Sequence, residues 1–416
     1  MAAVQQLSTR GVNSPPYPLG SRLEAGVLEV GGCDARALAR EFGTPCYVVA
    51  EDDLRARARA FLGAFRARTE RFDVLFATKA FPCTAVLRVL REEGLGCDVA
   101  SAGELHLALR AGFDPARIVL HGNAKSEAEL RMAVEAGVGH VVLDNLDELD
   151  RLERLSDRQR VMLRVTPGVR GRTHDHISTG QADSKFGFSL DEARVAIDRL
   201  GDRLAGLHMH IGSQLLELAP FRTAVEAIAG LGAFDLYNLG GGLGVAYTDE
   251  QVPSLEDYVA TKVDAVNEII GPGRAIYDEP GRALTANSTV TLYTVESVKR
   301  NVSTWVAVDG GMSDNLRPML YGARYEAQVV DRFGGTTRCR LAGKHCESSD
   351  VLVDDVLLDD PRAGDVIVTP ATGAYGYAMA NNYNGVPRPP VVFAKDGDAR
   401  VVVRRETLED LVARDV

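Results

Sequence analysis

An α/β fold is expected for this chain: a (β/α)8 TIM-type barrel followed by an all-β domain that the N-terminal strand joins. Eight apolar runs of strand length, the first starting at Val74 and the last ending at Arg282, alternate with helical patterns over roughly 240 residues. Nearly every run ends in glycine or polar residues, which favours closure over a doubly wound open sheet. After about residue 285 the apolar period changes to two, the repeat of strands with one buried face. The expected organisation is a loose leader over 1–20, a segment 21–45 that joins the β domain, the barrel over 46–285 and the β domain over 286–416.

Composition agrees with this. The chain has 416 residues, 45% hydrophobic and 25% charged, enough for two or three sizeable cores. A net charge of -11 argues against a nucleic-acid or anionic-membrane partner, each of which would select a basic surface. No apolar run reaches the length of a membrane span, and no export signal opens the chain. Six cysteines without a CxxC pair fit a reduced, cytoplasmic protein with no structural zinc.

Taken in order, Gly, Pro, Ser and Asn dominate residues 1–20. Residues 23–30 read as one strand, 34–42 as a short helix capped by Asp34, and 51–65 as a helix with an acidic first turn. Barrel strands are expected at 74–79, 96–101, 118–123, 140–145, 161–167, 204–213, 236–242 and 275–282. Helices are expected between them at 84–93, 104–111, 126–136, 147–155, 191–200, 220–231 and 255–270. The β domain follows with strands at 289–298, 304–308, 325–330, 338–343, 351–357, 365–370, 391–394 and 400–404, and a last helix at 406–414.

The chemistry is expected at the strand ends. The first run ends in Lys79, with Pro82 just beyond, so its amine stands at the barrel rim, and apolar walls there would favour the neutral form that attacks a carbonyl. In His208-Met-His-Ile-Gly-Ser-Gln214, His208 and His210 share a strand face. A metal pair, a hydrogen-bonded core histidine and a ring packed on something planar all remain open for them. Asn238-Leu-Gly-Gly-Gly-Leu-Gly244 offers backbone N–H groups to an anion where barrels of this kind grip phosphate. Asp278-Glu-Pro-Gly-Arg282 points the Glu279 carboxylate into the mouth, lets Gly281 approach a ligand, and adds the Arg282 fork. An amine, a flat ring, an anion cradle and a carboxylate together match pyridoxal 5′-phosphate: aldehyde to Lys79, ring face to His210, phosphate to Gly240, Gly241 and Gly242, pyridine nitrogen to Glu279. In the β domain, Lys344-His-Cys-Glu-Ser348 places Cys346 and Glu347 after a short strand, and the segment 373–382 reads as a ligand loop. Arg317 and Tyr321 fit a carboxylate clamp or a surface turn equally well.

These residues resemble the barrel-type, fold type III pyridoxal-phosphate-dependent decarboxylases, and within them the branch that acts on diaminopimelate. The pieces that match are Phe76-Ala-Thr-Lys-Ala, Cys97-Asp-Val-Ala-Ser, Ser184-Lys-Phe-Gly, the histidine, glycine and Glu279-Pro-Gly-Arg motifs above, Gly310-Gly-Met-Ser-Asp-Asn-Leu-Arg-Pro, Gly343-Lys-His-Cys-Glu-Ser and Thr372-Gly-Ala-Tyr-Gly-Tyr-Ala-Met. Gly-Met-Ser-Asp-Asn with Arg-Pro, and Cys-Glu-Ser, separate this branch from the ornithine decarboxylases. The resemblance implies decarboxylation of meso-2,6-diaminopimelate to L-lysine and CO2, the last step of lysine biosynthesis. It implies Lys79 as the lysine that binds the cofactor, with Asp98 nearby, His210 stacked on the ring, Glu279 on its nitrogen, and Ser213, Gly240, Gly241, Gly242, Gly281 and Arg282 around the phosphate. Arg282, Arg317, Tyr321 and Tyr375 would stand at the substrate, Tyr375 also near the cofactor. Cys346 would donate a proton and Glu347 read the distal end of the substrate, both reaching in from the partner subunit of a homodimer. Arginine, ornithine and carboxynorspermidine are the alternative substrates, and a non-catalytic cofactor-binding homologue is the alternative role. Two departures stand out: the family usually has glycine at Ser349 and at Ala102.

Overall fold

The structure, a computed structural model, describes residues 12, 14–168 and 184–416. The chain divides into two compact units, one formed by Ala56–Gly244 and Gln251–Ala283, the other by Met1–Arg55, Val245–Glu250 and Leu284–Val416.

The first unit is a closed barrel of eight parallel strands among the described residues: β1 Phe72–Ala77, β2 Gly96–Val99, β3 Ile118–Leu120, β4 His140–Leu143, β5 Val161–Arg164, β6 Leu204–His208, β7 Leu236–Asn238 and β8 Ala275–Asp278. It closes where β8 pairs with β1, Ile276 opposite Phe72. Leu75, Val119, Val142, Met162, Ala205 and Leu236, one each from six strands, fill the interior, so the barrel is a packed core and not a pore. The helices start where side chains can satisfy the first orphan N–H groups. Ser126 and Ser189 make capping boxes with Glu129 and Glu192, and Ser101, Asn145 and Ser254 cap three more. Each strand stops earlier than expected. The ladder ends at the barrel layer, while Lys79, His121, His210 and Glu279 lie on the turns just beyond, where the backbone has left it.

In the second unit a nine-stranded sheet, counted among the described residues, carries the core. Its centre is Cys46–Ala50, buried along its whole length, antiparallel to Thr289–Arg300 and parallel to Val391–Lys395. This strand fell inside the range expected for the barrel. It belongs instead to the sheet, because Cys46, Val48 and Ala50 pack with Val290, Leu292, Val368 and Val392 in a core of their own. The single strand expected at 23–30 is a hairpin, Arg22–Glu24 against Val27–Val30, since Ala25 and Gly26 both take positive φ (48° and 84°), the requirement of a two-residue turn. With Cys33–Asp34 it forms a separate three-stranded sheet. Of the strand expected at 325–330 only Gln328–Val329 pairs, and the last helix is confined to Leu408–Val412.

Residues 14–20, expected as part of a loose leader, are held down. Tyr17 is buried against Phe333, Asn287 Nδ2 donates to the Pro16 carbonyl at 3.1 Å, and the Leu19 N–H donates to Asp53 at 3.1 Å. Residues 170–184, whose conformation the sequence leaves open, lie, apart from Ser184, outside the described residues. Neither Ala102 nor Ser349 takes a positive φ, so both departures from glycine are accommodated without backbone strain.

Candidate active site

In the barrel unit the chemistry gathers around Glu279, the residue after β8. Its Oε1 accepts from His121 Nε2 at 2.7 Å and Asn238 Nδ2 at 2.5 Å, and its Oε2 from His208 Nε2 at 3.2 Å. Burial alone would raise this carboxyl, but the charge of His121 and the hydrogen bonds of His121 and His208 outweigh it and hold Glu279 well below the usual carboxylate range. His121 is the cationic partner: burial would lower it, yet the Glu279 and Asp98 carboxylates raise it above the ordinary imidazole value. His208, driven down to about 3 by burial, stays neutral and donates through Nε2, so its buried Nδ1 is an unpartnered acceptor. A carboxylate has about four lone-pair sites. Three donors use three of them, and Oε2 keeps room for one more N–H.

His121, His208 and Glu279 bring metal-type donor atoms within 4.8 Å of one another. Their spacing here is that of hydrogen bonds. Of the readings left open for the two strand histidines, His208 takes that of a hydrogen-bonded core histidine, bonded to Glu279, while His210 lies beside the glycine loop, its Nδ1 2.6 Å from where a Cβ on Gly240 would sit. Burial, reinforced by the Lys79 and Arg164 charges, pushes His210 well below the usual imidazole range and leaves a neutral ring.

The glycine loop is shaped for an anion. At Gly241 a Cβ would come within 2.1 Å of the Glu279 carbonyl oxygen, so only glycine allows the two turns to approach this closely. Arg282 donates to Ser213 Oγ through Nη2 at 3.0 Å and Nε at 3.3 Å, which joins the loop after β6 to the loop after β8. Gly281 packs against Ala77 and Ala80 at the base of the Lys79 turn. These features fit a bound pyridoxal phosphate: an ionised carboxylate with one acceptor site left for a ring N–H, a neutral imidazole, and a cradle that a Cβ would fill. Lys79 itself sits on the 3-10 turn Thr78–Ala80 and is exposed between buried neighbours, not enclosed by the apolar walls expected for it. Asp98, the third residue of β2, is buried 3.7 Å from His121, and burial pushes it above the usual carboxylate range against the pull of His121 and Lys79.

The second unit holds two further groups. Arg317 is buried at the start of the helix Arg317–Tyr321, where Pro318 takes the second helical position and needs no N–H partner. Its Nη1 donates to Tyr325 Oη at 2.5 Å and its guanidinium lies over the Tyr247 ring at 4.6 Å, while its buried Nε has no partner. That is a fork with an unmet donor, the condition of a carboxylate clamp. Tyr321 is half-buried at the other end of the same helix, and Tyr375 takes a positive φ of 63°, rare for an aromatic residue. Cys346 and Glu347 are exposed. The Cys346 N–H donates to Asn384 Oδ1 at 2.9 Å, Tyr383 Oη donates to Glu347 at 3.4 Å, and Asp350 gathers the Met312 and His345 N–H groups at 2.7 and 2.9 Å beneath them.

His121 and Asn238 were missed in the sequence. Both had the signal that singled out the others, a polar residue at a barrel strand end, but His121 stands in no motif, and in the glycine motif that Asn238 opens the glycines drew the attention. His121 also gives a pH prediction. A raised imidazole stabilises the fold below its ordinary value, near pH 6.5, and that stabilisation is lost as pH rises through the folded value. A depressed carboxyl stabilises above its ordinary value, near pH 4.3, and loses this as pH falls through the folded value. The pair therefore contributes fully between about pH 4.3 and 6.5. His121→Asn should cost on the order of 3 kcal/mol there. Denaturation of the cofactor-free protein across pH should show the gap to wild type narrowing at alkaline pH; a gap that does not change with pH would contradict the pairing.

Comparison with known proteins places these features. The family model for the pyridoxal-dependent decarboxylase, pyridoxal binding domain, matches residues 51–286. The chain is 45% identical to the diaminopimelate decarboxylase of Actinosynnema pretiosum subsp. auranticum, covering 100% of both chains. It is 44% identical to that of Bacillus subtilis strain 168, over 94% of this chain and 95% of the relative. Among solved structures it resembles the Helicobacter pylori diaminopimelate decarboxylase complexed with L-lysine, with a TM-score of 0.86, 32% identity, and coverage of 91% of this chain and 98% of that one.

Proposed function

We propose, from the premise that this chain belongs to the pyridoxal-dependent decarboxylases, that it converts meso-2,6-diaminopimelate to L-lysine and CO2 with pyridoxal 5′-phosphate as cofactor. The observation that carries this reading is Glu279, held ionised by His121, with one acceptor site open beside a glycine cradle. The full-length identity to diaminopimelate decarboxylases supports the choice of substrate.

When bound, pyridoxal phosphate supplies a sink for the electron pair left as the carboxylate departs. The residues of this chain do the rest. Lys79 Nζ would hold the cofactor by its aldehyde carbon, with the Asp98 carboxylate acting on the Lys79 charge. Glu279 would keep a proton on the ring nitrogen, and the neutral His210 would pack on the ring. The backbone of Gly240, Gly241 and Gly242, with Ser213, Gly281 and Arg282, binds the phosphate. Arg282, Arg317, Tyr321 and Tyr375 orient the substrate by its carboxylates. Cys346 Sγ delivers the proton that replaces CO2, and Glu347 reads the distal amino-acid end. Both act across a homodimer in which each subunit lends them to the other. The six cysteines are free thiols, which supports a cytoplasmic setting, and no helix among the described residues is long and apolar enough to cross a membrane.

CO2 release from a panel of meso-diaminopimelate, ornithine, arginine and lysine tests the assignment. Release from diaminopimelate alone is expected, and release chiefly from ornithine or arginine would overturn it. Cys346→Ala should lower kcat by about 10²–10⁴ while leaving cofactor affinity close to wild type. Equal losses in both would remove Cys346 from the proton-transfer role.

A further inference from the structure

Beneath the glycine cradle lies a charged group that none of the roles above uses. Lys262, on the helix Leu255–Ile269, is fully buried, its ammonium 4.5 Å from the centroid of the Phe221 ring and 4.3 Å from that of Tyr258. Nζ donates to the Gly240 carbonyl at 2.8 Å and reaches the Leu239 carbonyl at 3.3 Å. It also bonds Tyr258 Oη at 2.5 Å and pairs with Asp278, whose Oδ1 accepts from Tyr258 Oη at 2.8 Å. The Gly240 carbonyl accepts a second bond, from the Glu279 N–H, at 3.1 Å. One oxygen of the cradle is thus shared between Lys262 and the backbone of Glu279, and the counter-ion Asp278 immediately precedes Glu279.

Packing a helix on a barrel does not call for this. Apolar residues of similar volume would do so without the cost of desolvating two charges. What the ammonium adds is direction. A trans peptide unit is planar, so its carbonyl and the following N–H point in opposite senses, and cis bonds among the described residues are confined to Pro15–Pro16 and Thr44–Pro45. Drawing the Gly240 carbonyl toward Nζ therefore turns the Gly241 N–H away from Lys262. The Gly240 N–H is itself taken by Asn238 Oδ1 at 3.0 Å, so the next amide is oriented through the Gly240 carbonyl, by Lys262 together with the Glu279 N–H.

We propose that Lys262, held by Asp278 and Tyr258, is a positioning residue that aims the Gly241 N–H at the cofactor phosphate and sets that amide against Glu279. The inference rests on the reading that the loop Gly240, Gly241 and Gly242 grips the phosphate. The test compares the affinities of the cofactor-free protein for pyridoxal phosphate and for pyridoxal, which lacks the phosphate, by absorbance titration. It uses wild type, Lys262→Met, the charge-free pair Lys262→Met with Asp278→Asn, and Ser213→Ala. The double variant removes both buried charges together, so it remains usable if Lys262→Met alone does not fold.

The preference for the phosphorylated form should fall about tenfold in the double variant, the size of one charge-assisted hydrogen bond, with pyridoxal affinity close to wild type. A purely structural role would weaken both ligands alike and overturn the inference. Retention of the preference in the double variant, with its loss in Ser213→Ala, would overturn the inference and leave the cradle standing. Retention in both would overturn the cradle reading, and the role of Lys262 with it.

Discussion

Lys79→Ala is expected to abolish the long-wavelength absorbance of covalently held cofactor and to cut turnover by at least about 10²-fold, because the nucleophile that attaches the cofactor is lost. The fold should be indifferent to the change. Lys79 is exposed on its 3-10 turn, between the buried Thr78 and Ala80, so truncating it opens no cavity in the barrel interior. Surface truncations of this kind stay within about 0.5 kcal/mol. A protein with wild-type stability, no covalent cofactor and no turnover is therefore the expected combination. A Lys79→Ala protein that still shows the absorbance would contradict the assignment, since the buried Lys125 and Lys262 are both committed to carboxylates, Glu148 and Asp278.

The second large effect belongs to Glu279→Gln. Side-chain shape and burial are kept, but the charge that holds a proton on the ring nitrogen is removed, and kcat should fall by about 10²–10³, the range for losing one preorganised electrostatic contact. The amide also disturbs its neighbours. Glu279 accepts from His121, His208 and Asn238, all donors, whereas glutamine has one accepting oxygen and turns an NH2 toward the remaining donors. Without the carboxylate, His121 loses the largest charge that raises it, and only Asp98 is left to oppose burial. Covalent attachment through Lys79 should survive, which separates this variant from the first. Activity within a few-fold of wild type would mean that Glu279 does not face the heterocycle.

How much of this could be read in advance follows from the range of the interactions. The eight barrel strands and their helices were legible because apolar period, caps and turn residues act within a few positions of the chain. The expected runs contain the observed strands except at β1, which starts two residues earlier at Phe72. The same logic failed at Ala25 and Gly26, where an alanine at positive φ hid a hairpin inside an apparently continuous strand. It failed again at Cys46–Ala50, an all-apolar strand whose partners Thr289–Arg300 and Val391–Lys395 lie far along the chain.

Lys79, His210, the glycine loop and Glu279 were singled out because each lies toward the end of an expected strand, and the sequence alone gathered them at one end of the barrel; the structure set them on the turns just beyond the ladder. Tertiary structure decided which of them meet and in what state of charge. The partners of Glu279 lie 158, 71 and 41 residues away, at His121, His208 and Asn238, and the buried Lys262 that grips Gly240 comes from a helix after the loop it supports. Closure of the barrel brings these ends together. Removal from water drives His208 to the neutral form, whereas at His121 the Glu279 and Asp98 carboxylates together outweigh the same penalty and make that ring the cation.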